Sequence, residues 1–201
     1  NDDQNGCTPL YAASQNGNVD IVKALLKAGG NVNQAATDEG VTPLYIASQK
    51  GNVDLVKVLI AAGGKVNQAR TTDGCTPLHI ASQKGEVDTV KVLIKAGGNV
   101  NQAKTTTGCT PLFIASQHGN VDTVKVLIEA GGNVNQAKTD NECTPLYIAT
   151  EKGHVDIVKL LLNVPGIDID KKLHGKFSPL MKAKEEKHDE IIQLLTDAGA
   201  Q

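Results

Sequence analysis

The chain has 201 residues, a formal net charge of −2 and 40% hydrophobic residues, with aromatics at only 2%. That apolar share suffices for a sizeable core, and the scarcity of aromatics requires it to be built from Ala, Val, Leu and Ile, as in closely packed helices. The near-neutral balance gives no electrostatic reason for nucleic acid or an anionic membrane surface as partner; no run of about 18 apolar residues could span a bilayer, and no signal-peptide pattern opens the chain.

Internal repetition organises the sequence. Thr8-Pro9-Leu10 is the first of five Thr-Pro-Leu triplets; the others start at Thr42, Thr76, Thr110 and Thr144, each 34 residues after the last, and Ser178-Pro179-Leu180 continues the series. A fixed period of this length is the signature of stacked repeats, here running approximately over 6–39, 40–73, 74–107, 108–141, 142–175 and 176–201 of a single domain. The first unit, Cys7 to Gly29, is as apolar as the internal ones. With no polar replacement on its outward face, it predicts an array that continues upstream, this chain being the C-terminal part, or an uncapped end that packs on a partner.

The third unit shows the predicted elements in order. Thr76 is placed to cap a helix, its hydroxyl accepting from a first-turn N–H. Pro77 follows at the first helical position, where its missing N–H costs nothing. Leu78, Ile80 and Ala81 make a short apolar face, and Gly85 ends the helix by tolerating the left-handed conformation. Val87, Val90, Leu93 and Ile94 recur at helical spacing in a second helix, with Asp88 in its first turn. Gly97-Gly98 stop it, and a polar, non-helical loop follows. The fourth unit differs from the third at six positions, which chance cannot produce. The fifth ends in the one irregular loop, Asn163 to Asp170. In the sixth, predicted helices at Pro179 to Glu186 and Asp189 to Asp197 carry Lys182, Lys184, Glu185, Glu186, Lys187, Asp189 and Glu190, the polar load of a terminal cap. Helices this short are marginal alone. Stacking resolves this into an all-α solenoid with protruding hairpin loops, a rod on the order of 50 Å long at a helix spacing of roughly 8–10 Å.

Thr76-Pro77-Leu78-His79-Ile80-Ala81, Lys84-Gly85 between the helices, Val87 to Ile94 and Ala96 to Asn101 together resemble the ankyrin repeat family over nearly the whole chain. The chain departs from the family pattern in its 34-residue period, in Tyr11, Tyr45, Phe113, Tyr147 or Met181 at the signature His position, and in Lys187 for the inter-helix Gly of the last unit. The resemblance implies protein–protein recognition across a concave face of hairpin tips and first helices. It implies that His79 ties neighbouring repeats by hydrogen bonds. It also likens Asn33, Asn67, Asn101 and Asn135 to the hairpin Asn that asparaginyl hydroxylases modify, making Asn67, Asn101 and Asn135 candidate modification sites. The structural alternative is an Asn that stabilises its own turn through local backbone bonds.

Other chemistry finds no support. Cys7, Cys75, Cys109 and Cys143 share one column of the repeat, in which neighbours would sit one stacking step apart, about 8–10 Å, too far for a disulfide or for two thiolates on one zinc. They read as reduced, small apolar groups, consistent with an intracellular protein of the cytoplasm or nucleus. The histidines occupy scattered columns with no recurring nucleophile or acid beside them, and the Gly-Gly pairs are helix terminators, not phosphate cradles. The expectation is a monomeric, non-catalytic protein without cofactor or metal, which binds a protein or peptide. A natural scaffold is weighed against an engineered or consensus binder, which the near-identity of units three and four would also suit.

The expected binding surface has three columns. Two side chains at the end of each first helix should point into the groove: Gln49 and Lys50, Gln83 and Lys84, Gln117 and His118, Glu151 and Lys152. The hairpins supply Asp38 and Glu39, Asp73, Thr107 and Asp140. Between them runs Cys7, Val41, Cys75, Cys109, Cys143 and Phe177, read as a small apolar floor.

Overall fold

The structure is a computed structural model that describes residues 6–36 and 39–201. Among these residues are twelve α-helices in six pairs: α1 (Pro9–Gln15) and α2 (Val19–Lys27), α3 (Pro43–Gln49) and α4 (Val53–Ala61), α5 (Pro77–Lys84) and α6 (Val87–Lys95), α7 (Pro111–His118) and α8 (Val121–Glu129), α9 (Pro145–Glu151) and α10 (Val155–Leu162), and α11 (Pro179–Glu186) and α12 (Asp189–Asp197). The chain divides into two compact units, Asn1–Asn99 with Lys104–Thr106, and Val100–Ala103 with Thr107–Gln201. Each is a stack of helix pairs. In the first, α1 packs on α3 and α3 on α5, while α2 packs on α4 and α4 on α6; in the second, α7, α9 and α11 form one row and α8, α10 and α12 the other.

The Thr-Pro-Leu triplets start the first helices as their chemistry dictates. The hydroxyls of Thr8, Thr42, Thr76, Thr110, Thr144 and Ser178 each accept from the backbone N–H three residues on, at 3.1–3.3 Å. Gly85 and Gly119 end α5 and α7 in the left-handed region, at φ 74° and 75°. Lys187 does the same at φ 58°, with a Cβ that makes this conformation costly. The second helices supply the deepest core: Leu59, Leu93, Leu127, Leu161 and Leu195 are all 0% exposed.

The hairpins are stitched by asparagine. The Asn33 side chain donates to the Gly63 carbonyl at 3.0 Å and accepts from the Lys65 N–H at 2.7 Å. Asn67 repeats this with Gly97 and Asn99, Asn101 with Gly131 and Asn133, and Asn135 with Gly166 and Asp168. The local-turn reading of these residues is therefore corrected. A carboxamide carries a donor and an acceptor on one planar group, so it spans a carbonyl and an N–H of the next repeat. The local turns are made two residues earlier, where Asn31 and Asn133 accept from the N–H groups of Asn33 and Asn135.

Candidate functional site

The hairpin lips differ between the two units. In the first, Arg70 forks onto Asp73, Nε to Oδ1 at 3.1 Å and Nη2 to Oδ2 at 2.9 Å, and its Nη1 lies 3.4 Å from Glu39. Lys104 Nζ reaches the same Asp73 oxygen at 2.6 Å. Asp73 also accepts from the Cys75 N–H at 3.0 Å, which shapes the turn before α5. Burial opposes ionisation of Asp73, but the bonds from Arg70, Lys104 and the Cys75 N–H outweigh it and hold the carboxyl well below the usual range. The Arg70 guanidinium sits 5.8 Å from the centre of the Tyr45 ring, and the Tyr45 hydroxyl donates to Cys75 Sγ at 3.5 Å.

In the second unit, Thr107 and Asn141 stand where Asp73 does. They keep the turn bond, accepting from the N–H groups of Cys109 and Cys143 at 3.4 and 3.1 Å. In place of a network there are two separate pairs, Lys138 with Asp140 at 3.1 Å and Lys171 with Glu142 at 3.9 Å, with Lys138 Nζ 5.9 Å from the centre of the Phe113 ring. Beside it lies a depression of about 330 Å³, lined by Phe113, Gln117, Lys138, Asn141, Cys143, Tyr147, Ile148, Glu151, Lys152, Leu173 and Lys182. Lys182 is held at its rim by Glu185 and Glu186, at 3.2 and 2.7 Å.

Of the predicted surface residues, Gln117, Glu151 and Lys152 come together in this depression. Lys50, Lys84, His118 and Lys152 are exposed, and Gln49, Gln83, Gln117 and Glu151 are half-buried. Glu39 and Asp73 join the Arg70 network, Asp140 pairs with Lys138, and Asp38 lies outside the described residues. The modification candidates Asn67 and Asn101 are exposed and Asn135 half-buried, all three engaged in the hairpin rungs. His79 closes a capping box, its Nδ1 accepting from the Thr76 N–H at 3.1 Å.

The apolar floor needs correction. Val41, Cys75, Cys109 and Cys143 are 3–8% exposed and lie within the core clusters of Tyr45, Phe113 and Tyr147, whereas Cys7 and Phe177 are exposed. The bulky ring at the signature position lies against this column and closes it. Burial pushes the Cys75 and Cys143 thiols up, the latter to about 12, so both stay protonated and unreactive. Sequence reasoning missed Arg70, Lys104, Lys138 and Lys182. A signal for the first three was present: Arg70, Lys104, Lys138 and Lys172 form a basic column at 34-residue intervals.

A second depression, about 430 Å³, lies on the outer side of the first unit between α4 and α6, lined by Lys57, Ile60, Ala61, Val92, Lys95 and Ala96. It is larger and more apolar than the hairpin-side depression but contains none of the predicted surface residues. Among the described residues no cluster of three His, Cys, Asp or Glu could hold a metal ion. No helix there is long and apolar enough to cross a membrane.

Helix pairs of this geometry, capped by Thr-Pro-Leu and linked by hairpin asparagines, define a class, and the chain belongs to it: this is an ankyrin repeat protein. The family model described as Ankyrin repeats (3 copies) matches residues 1–70, 62–138 and 132–201. Among solved structures, the human ASB11 ankyrin repeat domain is 31% identical, with 97% of this chain and 85% of that chain covered and a TM-score of 0.86. In all, 612 solved chains match, so the fold is widely shared and a partner must be argued from this chain's own surface. A search of curated proteins returns no match.

Proposed function

We propose that this protein is a non-catalytic scaffold that holds a partner protein or peptide on the face formed by its hairpins and first helices. Ankyrin repeats are in general protein–protein interaction modules. The observation that carries the choice of face is the depression in the second unit, where the ends of α7 and α9 and the hairpin residues Lys138 and Asn141 converge on one concavity. It combines aromatic floor groups with several polar side chains, the mixture that fixes a ligand's orientation as well as its affinity. By their place in the 34-residue repeat, Asp38, Glu39, Asp73, Thr107, Gln49, Lys50, Gln83, Lys84 and His118 are the further candidates for contact with the partner. The unpaired cysteines fit a reducing compartment, the cytoplasm or nucleus.

The test is capture of partners by the whole chain. Reversing Lys50, Lys84 and Lys152 together to Glu should weaken capture while leaving the melting temperature nearly unchanged, since all three are exposed. The control is Ala61→Glu with Val92→Glu in the outer depression. Capture that survives the lysine reversals and is lost in the control would assign the partner to the outer face instead.

A further inference from the structure

Tyr45 in the first unit and Tyr147 in the second stand at the same position of the repeat. Both are buried, at 5% and 3% exposure, but their hydroxyls are used differently. The Tyr45 hydroxyl donates to Cys75 Sγ at 3.5 Å. The residue in the place of Cys75 for Tyr147 is Phe177, whose side chain carries no acceptor. Tyr147 bonds to Thr144 through its backbone N–H, and its hydroxyl has no partner among the described residues. A buried hydroxyl left so is costly. Tyr147 lines the depression of the second unit, so its hydroxyl can be satisfied by a ligand there. Burial raises the pKa of the phenol, which stays protonated and able to donate.

The other polar groups of the lining are mainly donors. Lys152 is exposed and has no ion pair among the described residues. Lys138 has one carboxylate partner, Asp140, and Lys182 has two, Glu185 and Glu186; an ammonium carries three donors, so each keeps one to offer. The Asn141 oxygen is taken by the Cys143 N–H, which leaves its amide nitrogen to donate. The first unit shows what such a donor set holds. There Asp73, the counterpart of Asn141, supplies a carboxylate to Arg70 and Lys104, and Arg70 is the counterpart of Lys138. The second unit keeps the cation and lacks the carboxylate at that place. The charges opposing an anion are Glu151 in the lining and Asp140, Glu185 and Glu186 at the rim. They admit a monoanion more readily than a dianion such as phosphate.

We propose that this depression is a receptor for a carboxylate, the acidic side chain of a partner peptide, which accepts from the Tyr147 hydroxyl and the Lys152 ammonium. Ile148 and Leu173, also in the lining, offer apolar surface to the methylenes that carry it. The inference rests on the reading of the hairpin side as the partner's face and adds the chemistry by which that face selects.

The test uses the whole chain with isotope-labelled tyrosine rings. There are three tyrosines, and the signals of Tyr147 are those lost in Tyr147→Phe, a change the fold should tolerate because Phe113 fills the same repeat position. The probe is acetyl-Ala-Glu-Ala-amide, compared with the isosteric acetyl-Ala-Gln-Ala-amide. The Glu peptide should shift the Tyr147 ring signals saturably and leave those of Tyr45, whose hydroxyl is committed to Cys75, in place. The Gln peptide should bind about tenfold more weakly or less. Lys152→Gln should weaken the Glu peptide about tenfold, and so should Tyr147→Phe, followed by the backbone amide of residue 152. No shift of Tyr147 at tens of millimolar Glu peptide, or equal affinity for both peptides, would overturn the proposal. Tighter binding of the phosphoserine analogue would do so as well, because the ligand would then be a phosphate. Partner capture lost on the lysine reversals with a silent Glu peptide would remove the carboxylate and keep the face. A selective Glu peptide with capture lost only in Ala61→Glu with Val92→Glu would remove the face and keep the carboxylate receptor.

Discussion

The lips of the two units hold the same backbone turn with different chemistry. At Asp73 the acceptor that shapes the turn before α5 is a carboxylate, and Arg70 and Lys104 gather around it. At Thr107 and Asn141 the acceptor is a hydroxyl or an amide, and no such cluster forms. The difference shows that the fold requires only an oxygen in that place to satisfy the Cys N–H. Charge is an addition to the turn, not a condition of it. In the first unit it is consumed by mutual pairing. In the second, Lys138 keeps a single exposed carboxylate partner and lines an open depression, and Lys152 stands beside it without an ion pair among the described residues.

The comparison can be broken first at the level of the core, where the units should be alike. Leu59→Ala and Leu127→Ala remove fully buried side chains, one in each unit, and each should cost about 2–5 kcal/mol in urea unfolding. If Leu127→Ala proves as mild as a surface change, its assignment to the core is wrong. The lips should then separate. Asp73→Asn keeps an acceptor for Cys75 but loses the charge, and should cost about 1–2 kcal/mol at pH 7. Because the folded-state pKa of Asp73 is depressed, its contribution is fully present above the unfolded value of about 3.9 and is lost as pH falls toward the folded value. The stability gap between wild type and Asp73→Asn should therefore close below about pH 4; a gap independent of pH would mean that ionic pairing is not its source. The complementary change Asn141→Asp should gain less than about 1 kcal/mol, because Lys138 already pairs with Asp140.

Capping should not distinguish the units. Thr42→Ala and Thr110→Ala each remove a hydroxyl that accepts from the third N–H of its helix, and thermal melts should report about 1 kcal/mol for both. The smallest expected effect is a gain. Thr89 and Thr123 place hydroxyls without a hydrogen-bond partner in fully buried positions, where Leu55 and Ile157 show that the column accepts a purely aliphatic side chain. Thr89→Val and Thr123→Val should each stabilise by about 0.5–1 kcal/mol. A loss at either position would reveal a partner for that hydroxyl.

Much of the fold was legible because each repeat element rests on local chemistry. A hydroxyl before Pro-Leu caps a helix, a Gly pair ends one, and leucines at helical spacing face inward, whatever surrounds them. The predicted bounds of α11 and α12 coincide with the observed helices for this reason. The candidate surface was legible in part. Gln117, Glu151 and Lys152 were expected side by side from their place after Ala in the first helix, and they share a concavity. Lys138 and Lys182 reach that concavity from a hairpin and from α11, a convergence that register along the sequence does not reveal.

The sequence by itself determined the repeat, its period, the helix caps and the family, all of which depend on neighbours within a few residues or on exact recurrence. Only the tertiary structure decided what each recurring residue does across the stacking step. It turned Asn33 and its counterparts from local turn formers into bridges between repeats, closed the cysteine column behind aromatic rings, and divided the charged lip into a spent network and an open one. Those outcomes depend on distances between residues about 30 positions apart, set by how one helix pair seats on the next, and the side chains at both ends of each contact must be placed before its chemistry is defined.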